Sequence, residues 1–466
     1  MITAKAFAGK HYAVYGLARS GLATVEALLA SGARVTAWDA KEEARAALKS
    51  SPSSLGEGDR SKSGGGGGGA TAADAAAPPP SSGWSPSPSK LGEDLVIADL
   101  DEVPLHQFDS LIVTPGLPLN RHPIAQRARE AGVEIIGDIE LFARARPELP
   151  PHKVVGITGT NGKSTTTALI HHILKTAGMP AAMGGNIGLP ILAQDPLPEG
   201  GVYVLELSSY QLDLTQSLDC DVAVLLNITP DHLDRYESFD AYAASKERLL
   251  LMQSQDHKSV INWECFERGL ITPETAGFNG IIPSRTDEQT HWPALQGPHN
   301  AENAGAAREA CQWLGVSDET IEEGLRSYPG LPHRMELIRE RDGVLFVNDS
   351  KATNPTATAP ALAAFPSIRW ILGGQAKTDS LDECAPHFGH VRSAYTIGEA
   401  GELFARLLAP HMPVANCETL ENALNHAAED SQPGDTVLLS PACASFDQFR
   451  DFEQRGDRFR DLVGAL

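Results

Sequence analysis

The sequence predicts an α/β fold of three domains arranged in series. The chain has 466 residues, which is the length of about three domains. Continuous apolar runs, typical of buried parallel strands, alternate with helical stretches along the chain, and no repeat of fixed period is present. We therefore expect a Rossmann-like N-terminal domain at residues 1–147, a central P-loop ATPase-like domain at residues 148–329 and a C-terminal Rossmann-like domain at residues 330–466.

The first domain is predicted from two turns that follow strands. One turn follows a strand at residues 11–15 and opens a helix, and the next strand ends at an acidic residue about 20 positions on. The residues concerned are Gly16, Leu17, Ala18, Arg19, Ser20 and Asp39, together with Thr114, Pro115 and Gly116 after a strand at residues 110–113. The Gly-x-Ala-x-x-Gly pattern indicates a nucleotide or other anion at a helix N-terminus. Taken alone it also fits a dinucleotide-dependent oxidoreductase.

A low-complexity segment interrupts this domain at residues 50–93. It contains a glycine run at residues 64–69, an Ala/Pro stretch and Ser-Pro pairs. Such a composition cannot bury enough apolar surface to order itself, so we expect a disordered surface loop. Trp84 is its only aromatic residue, which leaves partner binding as the weaker alternative.

The most informative motif opens the central domain. A strand at residues 153–157 leads into a glycine-rich turn and a helix predicted at residues 166–177. The turn consists of Gly159, Thr160, Asn161, Gly162, Lys163, Ser164 and Thr165. In such a turn the backbone N–H groups cradle phosphates, the lysine reaches the β/γ-phosphates and a hydroxyl holds Mg²⁺. The strict P-loop pattern fails at one position, where Ile157 replaces the first glycine.

Two further strand ends of the central domain carry groups suited to metal ions. Glu206 follows a buried apolar run, a place where a carboxylate holds Mg²⁺ by analogy with the Walker B position. Asp231 and His232 follow the next strand, and such a pair can supply a metal ligand and a group that orients it. Lys246 lies in a predicted helix beyond them, and its spacing alone predicts a solvated surface charge.

The third domain contributes polar loops that mix lysine, arginine, aspartate and hydroxyl side chains. These loops are residues 333–334, 349–355, 373–377 and 440–449. Cations opposite a phosphate turn suit ATP or a carboxylate substrate. The coincidence of several such loops predicts a cleft.

Composition argues against several classes of function. The net charge of −22 disfavours a nucleic-acid-binding surface. The six cysteines have no Cys-x-x-Cys or metal-binding spacing, so we expect reduced thiols in a cytoplasmic protein. The first ten residues lack the apolar region of a secretory signal, and no apolar run approaches the ~18 residues that cross a bilayer.

Together these motifs resemble a known family. The strings that carry the resemblance are residues 159–165, 184–188, 206–209, 231–234 and 333–334, with His299, Asn300 and Asn303. They are similar to those of the Mur ligases of peptidoglycan synthesis. The strings at residues 349–354 and 440–445 resemble the family member that adds D-glutamate. The resemblance covers nearly the whole chain except residues 50–93, and it implies no nicotinamide in the first domain.

The resemblance implies a role for each matching residue. Lys163 binds the β/γ-phosphates, and Ser164 with Glu206 holds one Mg²⁺. His232 holds a second Mg²⁺ together with Lys246, which carries a carbamate derived from CO₂. The residues implied to contact ATP are 159–165, Asn303, Arg334 and Asp349. Those around the D-glutamate pocket are Lys351, Thr353, Lys377, Ser445 and Phe446. Those that bind the UDP-linked substrate are Asn186, Asp39 and the two turns of the first domain.

The resemblance also implies a reaction and its partners. ATP phosphorylates the carboxylate of UDP-N-acetylmuramoyl-L-alanine, and the amine of D-glutamate attacks the resulting acyl phosphate and releases phosphate. Two Mg²⁺ ions and Lys163 neutralise charge where two anionic reactants meet. Closure of the third domain excludes water from the acyl phosphate. We expect a cytoplasmic monomer without nucleic-acid or membrane partners.

Two departures and two alternatives stand beside this interpretation. The segment at residues 50–93 is outside the family pattern, and Phe446 stands where an aliphatic residue is common. Within the same chemistry, the alternative adds a different amino acid or uses a folate acceptor, although the string at residues 349–354 argues against it. From another class, a nucleotide-binding switch or scaffold would hydrolyse ATP without an amino acid.

Overall fold

The computed structural model describes residues 1–50, 94–231, 235–271, 278–281 and 287–466. Nearly all of the low-complexity segment, and His232, therefore lie outside the described residues. The chain divides into two compact units. The first unit consists of Met1–Val154, Met183–Cys220 and Asp231–Ser254, and the second of Val155–Ala182, Asp221–Pro230 and Gln255–Leu466.

A five-stranded parallel sheet forms the N-terminal part of the first unit. Its strands are β1 (His11–Tyr15), β2 (Arg34–Trp38), β3 (Leu95–Ile97), β4 (Ser110–Val113) and β5 (Glu134–Ile136). The helices along this segment are α1 (Arg19–Ala30), α2 (Glu42–Ser50), α3 (Pro123–Glu130) and α4 (Asp138–Ala145). The strand order is β3-β2-β1-β4-β5. Because the order reverses between β1 and β4, the residues after these two strands lie at the crevice where open α/β sheets bind ligands.

The middle of the chain continues the alternation of strands and helices. Its strands are β6 (His152–Thr158), β7 (Ala181–Gly185), β8 (Gly201–Glu206), β9 (Val222–Leu225), β10 (Lys258–Ile261) and β11 (Phe278–Ile281). Its helices are α5 (Lys163–Thr176), α6 (Ser209–Asp213), α7 (Phe239–Leu251), α8 (Trp263–Glu267), α9 (Pro298–Trp313) and α10 (Asp318–Ser327). In the second unit β9 pairs in parallel with β6 and β10, and β10 pairs with β11. Strands β8 and β9 are buried along their whole length, as expected of parallel strands covered on both faces.

A six-stranded sheet forms the C-terminal part of the second unit. Its strands are β12 (Glu336–Arg341), β13 (Val344–Asn348), β14 (Ile368–Gly373), β15 (Val391–Ile397), β16 (Val414–Glu418) and β17 (Thr436–Leu439). Its helices are α11 (Pro355–Ala363), α12 (Gly401–Leu408), α13 (Leu420–Glu429) and α14 (Phe452–Ala465). The order is β12-β13-β17-β14-β15-β16, and only the β12–β13 pair is antiparallel among its described pairings. The adjacent strands β13, β17 and β14 therefore bring three polar loops to one edge.

The predicted α/β class is confirmed, with two local differences. Strand β12 was not predicted, because its residues are largely charged. Most of them are exposed, as suits a strand at the edge of a sheet. Helix α5 begins at Lys163, three residues before the predicted start, because the phosphate turn leads directly into it. All six cysteines lie within the described residues, where each is a buried thiol rather than part of a disulfide. No helix within the described ranges is both long and apolar enough to cross a membrane.

Candidate active site

Two turns of the first unit meet at the crevice between β1 and β4. Gly16 has a φ of 98°, and a Cβ atom there would lie 2.3 Å from Thr114 Oγ1. A Cβ atom at Gly21 would lie 1.9 Å from the carbonyl oxygen of Gly16, so only glycine permits this approach. The backbone N–H of Leu17 donates to Asp39 Oδ2 at 2.7 Å. The structure thus brings the first predicted turn together with Asp39 and Thr114.

The other predicted residues of this crevice differ in their surroundings. Arg19 begins α1, and its Nη2 donates to the carbonyl oxygen of Gly188 at 3.1 Å. Ser20 and Pro115 line a small pocket next to the turn. Gly116 is exposed, and a Cβ atom there would meet no atom within 4 Å. The close packing of the second turn therefore involves its first residues rather than its glycine.

Asp138 lines the same pocket, although the sequence did not single it out. It opens α4 and is 4% exposed. Its Oδ1 accepts from the N–H of Ile139 at 3.0 Å, whereas Oδ2 has no partner among the described residues. Burial raises the pKa of this carboxyl to about 6. An acidic residue at a helix start is common, so its pattern gave no signal.

The phosphate turn is packed against a residue far along the chain. Gly162 has a φ of 84° at the start of α5, and a Cβ atom there would lie 2.3 Å from Asn303 Oδ1. Asn303 is buried in α9 and accepts from Thr166 Oγ1 at 3.2 Å. Its Nδ2 donates to Asn300 Oδ1 at 3.1 Å. The predicted ATP residue Asn303 is therefore part of the wall of the turn.

The ammonium group of Lys163 lies against its own turn. Its Nζ donates to the carbonyl oxygens of Gly159 at 2.9 Å and Thr160 at 2.7 Å. A phosphate oxygen is a stronger acceptor for an ammonium group than a neutral carbonyl is. The unpaired N–H groups at the start of a helix and the positive end of its dipole also favour an anion. The turn is therefore suited to an anion.

The backbone of the phosphate turn is anchored to the loop after β9. The N–H of Thr160 donates to the carbonyl oxygen of Asn227 at 2.8 Å, and the N–H of Asn161 donates to Asn227 Oδ1 at 2.9 Å. Thr160 Oγ1 donates to the carbonyl oxygen of Thr229 at 3.1 Å. These bonds fix the turn in advance, which reduces the entropy lost when a ligand binds.

A cleft in the second unit joins this turn to residues of the third predicted domain. With the solvent at its mouth it has a volume of about 920 Å³. Among the predicted residues, its lining includes Asn161, Gly162, Thr165, Asn303, Arg334, Asp349 and Lys351. Arg334 Nη2 donates to Ser164 Oγ at 2.9 Å. The guanidinium therefore reaches the hydroxyl to which the sequence assigns Mg²⁺.

A strained hairpin presents Arg334 to the cleft. The flanking residues His333 and Met335 have φ values of 62° and 47°, in a region that is costly for residues other than glycine. Asp349 Oδ1 accepts from the N–H of Met335 at 3.2 Å, and Asp349 Oδ2 accepts from Ser440 Oγ at 2.8 Å. Burial raises the pKa of Asp349 to about 7. This carboxyl therefore supports the hairpin as well as lining the cleft.

Two buried polar groups in the cleft wall have no partner among the described residues. They are Nδ1 of His299 and the hydroxyl of Tyr328. Burial lowers the pKa of His299 to about 4, so its imidazole is neutral at pH 7. Neutral hydrogen-bonding groups suit an uncharged ring of a ligand, and the sequence had identified only His299, as part of a motif.

Glu206 has the features of a metal ligand. It ends β8 and is 2% exposed. Its Oε1 accepts from Asn186 Nδ2 at 2.8 Å, whereas the buried Oε2 has no partner among the described residues. A Cβ atom at Gly185 would lie 2.2 Å from the carbonyl oxygen of Glu206. Since an unpaired buried carboxylate oxygen is costly, this arrangement fits a divalent cation.

Lys246 is buried, so the surface position expected from its spacing was wrong. It is 1% exposed on α7, and its Nζ lies 4.6 Å from the centre of the Tyr242 ring. The neighbouring Ser245 donates to the carbonyl oxygen of Ser209 at 2.9 Å, and Tyr236 lies 3.3 Å from Ser245 Oγ. Helix α7 packs this face against α6, a contact that helix periodicity does not specify.

The predicted second metal site is only partly within the described residues. His232 lies outside them, and its role stays a prediction. Among the residues that the structure describes, no group of three or more His, Cys, Asp or Glu side chains could hold a metal ion. The ligands predicted for the two ions include a serine at the first site and a modified lysine at the second, so neither set is of that kind.

The loops after β14 and β17 are joined at the predicted amino-acid pocket. The N–H of Gln375 donates to the carbonyl oxygen of Ala444, and the N–H of Ala444 donates back, both at 2.9 Å. Ser445 is 2% exposed, whereas the side chain of Phe446 is 68% exposed. Lys377 is also exposed. Of these predicted residues, Ser445 is fixed in the loop, and Phe446 and Lys377 face solvent.

The loop after β13 contacts helix α14. Lys351 Nζ lies 3.7 Å from the centre of the Phe452 ring, a cation–π contact. Thr353 lies two residues on and is half-buried. The sequence did not identify Phe452, because an aromatic residue at a helix start is ordinary core material.

Comparison with known proteins adds to this geometry. The chain matches the Mur ligase middle domain over residues 157–271 and the Mur ligase glutamate ligase domain over residues 333–443. It is 56% identical to the UDP-N-acetylmuramoylalanine–D-glutamate ligase of Novosphingobium aromaticivorans over all of this chain and 97% of that protein. It is 53% identical to the protein of the same name from Sphingopyxis alaskensis over the whole of both chains.

A solved structure extends the likeness to the whole fold. The UDP-N-acetylmuramate–alanine ligase of Thermotoga maritima matches 98% of this chain and 99% of its own, with a TM-score of 0.55 at 17% identity. At that identity the match supports the three-domain α/β fold and nothing finer. Because relatives more than half identical cover the entire sequence, the chain belongs to the Mur ligase family.

Proposed function

We propose that this chain is an ATP-dependent ligase that joins D-glutamate to UDP-N-acetylmuramoyl-L-alanine through an acyl phosphate, in peptidoglycan precursor synthesis. The observation that carries the proposal is the cleft of the second unit, which places the phosphate turn, Arg334, Asp349 and Lys351 around one space. The names of the full-length relatives, which are UDP-N-acetylmuramoylalanine–D-glutamate ligases, support the choice of substrates.

Three domains with the predicted boundaries divide the work in this proposal. Residues 1–147 bind the UDP part at the crevice between β1 and β4, where the two turns and Asp39 meet. Residues 148–329 bind ATP, and residues 330–466 bind D-glutamate. Asn186, whose amide already contacts the Glu206 carboxylate, contacts the muramoyl part. The support is the position of each site at the carboxyl ends of parallel strands.

In the ATP step, the chain binds and orients the phosphates. Lys163 exchanges its carbonyl contacts for oxygens of the β/γ-phosphates and balances their charge during transfer. Arg334, which donates a hydrogen bond to Ser164, contacts the same phosphates in this proposal. Asn303 and Asp349 line the remainder of the cleft. These groups position the γ-phosphate for attack by the alanyl carboxylate.

The Mur ligase family implies Mg²⁺, and the residues present fit it. Glu206 offers a buried carboxylate oxygen without a partner among the described residues. Ser164 offers a hydroxyl at the first turn of α5, where a P-loop holds the ion. We assign these two to one ion, and His232 with Lys246 to the second. When bound, the ions neutralise the charge of the phosphates and the substrate carboxylate.

Burial is the support for a carbamate at Lys246. Desolvation disfavours a charged ammonium group, so a buried lysine gives up its proton more readily. The neutral amine is the form that adds to CO₂, and the product is an anion instead of a cation. An anion at this position suits Mg²⁺, which takes oxygen ligands.

The amino-acid step belongs to the loops of the C-terminal sheet. Two carboxylates of D-glutamate need cationic and hydroxyl partners, which the pocket residues supply. Lys351 and Lys377 supply the cations, Thr353 and Ser445 supply the hydroxyls, and Phe446 lies beside them in the proposed pocket. Held there, the amine attacks the acyl phosphate, and exclusion of water prevents its hydrolysis. We further propose a cytoplasmic monomer without nucleic-acid or membrane partners, for which the net charge of −22 is the support.

Phosphate release from ATP tests the proposal. The assay contains UDP-N-acetylmuramoyl-L-alanine and, in parallel, D-glutamate, L-glutamate, L-lysine or diaminopimelate. We expect release with D-glutamate alone. Release with another amino acid would change the acceptor, and release without any amino acid would favour a nucleotide-dependent switch. Binding of NAD(P) in a separate titration would favour the oxidoreductase alternative.

A further inference from the structure

Arg455 is a buried cation that none of the roles above includes. It lies in the first turn of α14 and is 1% exposed. Its Nε donates to Ser350 Oγ at 3.0 Å, and Nη2 donates to the carbonyl oxygens of Ser350 at 2.9 Å and Cys443 at 3.0 Å. Nη1 lies 3.4 Å from the carbonyl oxygens of Gly373 and Ala444. One guanidinium thus uses all three of its nitrogen atoms.

Its acceptors come from three loops that are far apart in sequence. Ser350 follows β13 and precedes Lys351, Gly373 ends β14 ahead of Lys377, and the 443–444 pair follows β17 ahead of Ser445. These are the three loops that carry the proposed D-glutamate residues. Every one of them gives an oxygen atom to Arg455, so this one side chain connects all three loops, including the loop after β13, which the Gln375–Ala444 backbone bonds do not reach.

The loop after β14 is shaped to approach this guanidinium. Gly373 and Gly374 both have a φ of 127°, a conformation that favours glycine. A Cβ atom at Gly374 would lie 2.3 Å from the carbonyl oxygen of Ala444 and 3.2 Å from Arg455 Nη1. The two glycines therefore bring the backbone close enough for the bonds to Arg455.

The charge of Arg455 is held by neutral groups. All five acceptors are a hydroxyl or carbonyl oxygens, and within the described part of the chain no carboxylate lies at ion-pair distance. Asp447 and Asp349 act on it only from longer range. Burial lowers the pKa of Arg455 to about 10, which still leaves it charged at pH 7. A buried positive charge attracts carboxylates, and this one lies next to the loops after β13, β14 and β17.

We propose that Arg455 is the positioning residue of the amino-acid pocket: it holds the loops after β13, β14 and β17 together and supplies positive charge beneath the site of the dicarboxylate. This inference rests on the proposed function for the identity of the amino acid. The registration of the three loops by Arg455 does not depend on it.

The test compares Arg455→Ala and Arg455→Lys with two arginine controls. Arg458→Ala removes an exposed arginine from the same helix, where it pairs with Glu421 at 2.9 Å. Arg369→Ala removes an arginine from the amino end of β14, away from the three loops, where it donates hydrogen bonds to Asp435 and Ser393. The second control destabilises the domain without touching the three loops.

We expect Arg455→Ala to raise the KM for D-glutamate about tenfold or more, as loss of charged hydrogen bonds does, with the KM for ATP changed about twofold or less. Added guanidinium ion at millimolar concentration should restore part of the activity of Arg455→Ala. Arg455→Lys should keep the charge but lose the loop contacts, so its KM for D-glutamate should lie between those of the wild type and Arg455→Ala. Arg369→Ala should lower thermal stability and leave the ratio of the two KM values unchanged.

A measurement without substrates separates this inference from the proposed function. Amide hydrogen exchange should accelerate at residues 350–353, 373–377 and 443–446 in Arg455→Ala and not in Arg458→Ala. If the wild-type protein fails to use D-glutamate but these loops lose protection, the function is wrong and the positioning role stands. Unchanged protection together with an unchanged KM for D-glutamate would overturn the role of Arg455. The role would also be overturned if Arg455→Ala raised the KM for D-glutamate and the KM for ATP by the same factor, as expected of Arg369→Ala.

Discussion

The phosphate turn and the amino-acid pocket occupy equivalent places, at the carboxyl ends of parallel strands, but they are built in different ways. The turn is one continuous segment, residues 159–165. Asn227 forms hydrogen bonds to its backbone, and Asn303 packs closely against Gly162. The pocket is assembled from three separate loops that converge on Arg455. A continuous site is encoded in a short motif, whereas an assembled site depends on a residue outside every motif.

Lys163→Ala gives the largest expected effect on the continuous site. Its ammonium group is the turn's side-chain cation, so its removal should lower kcat by about 10³-fold or more, the loss typical of a preorganised charge. Phosphate release under saturating substrates measures it. Lys153→Ala, an exposed lysine on β6, is the control and should behave as wild type. Wild-type turnover in Lys163→Ala would remove the turn from the reaction.

Lys246→Ala tests the buried lysine of the first unit. Removal of a metal-binding carbamate should reduce kcat about 100-fold, and short carboxylic acids such as acetate should restore part of it. The same acids should not raise the activity of Lys163→Ala, which lacks a cation rather than an anion. Full activity in Lys246→Ala, or equal rescue of both variants, would contradict the carbamate.

Two glycine substitutions isolate the contact that closes the phosphate turn. Gly162→Ala and Gly178→Ala replace glycines at the two ends of α5 with φ values of 84° and 71°, so both carry a similar backbone cost of about 1 kcal/mol. Only at Gly162 would the new Cβ atom meet Asn303, whereas Gly178 has no atom within 4 Å. Gly162→Ala should therefore lower the free energy of unfolding further and weaken ATP binding. Equal losses of stability and of ATP affinity in the two variants would contradict a close contact between Gly162 and Asn303.

Lys377→Ala gives the smallest expected effect and belongs to the assembled site. The side chain is exposed, so its removal should leave folding intact and raise the KM for D-glutamate several-fold, up to about tenfold. Arg392→Ala, an exposed cation on β15 of the same sheet, is the control. A larger change in the KM for ATP than in that for D-glutamate would move Lys377 out of the pocket.

The same difference explains how much of the molecule the sequence predicted. The buried strands β8 and β9 and the phosphate turn were predicted because their burial and backbone geometry follow from the types of neighbouring residues, whereas the exposed strand β12 was not. Lys246 was placed at the surface by its spacing, since its burial comes from the packing of α7 on α6. Arg455 gave no signal, because its partners Ser350 and Gly373 lie 105 and 82 residues away.

Detection of the joined product tests the central claim most directly, because the continuous and the assembled site must act on one molecule to form it. The protein is incubated with ATP, Mg²⁺, UDP-N-acetylmuramoyl-L-alanine and D-glutamate, and the nucleotide products are measured by mass spectrometry. The account predicts a product heavier than the UDP substrate by one glutamate residue, formed in step with ADP and absent with L-glutamate. ATP hydrolysis without that product would contradict it.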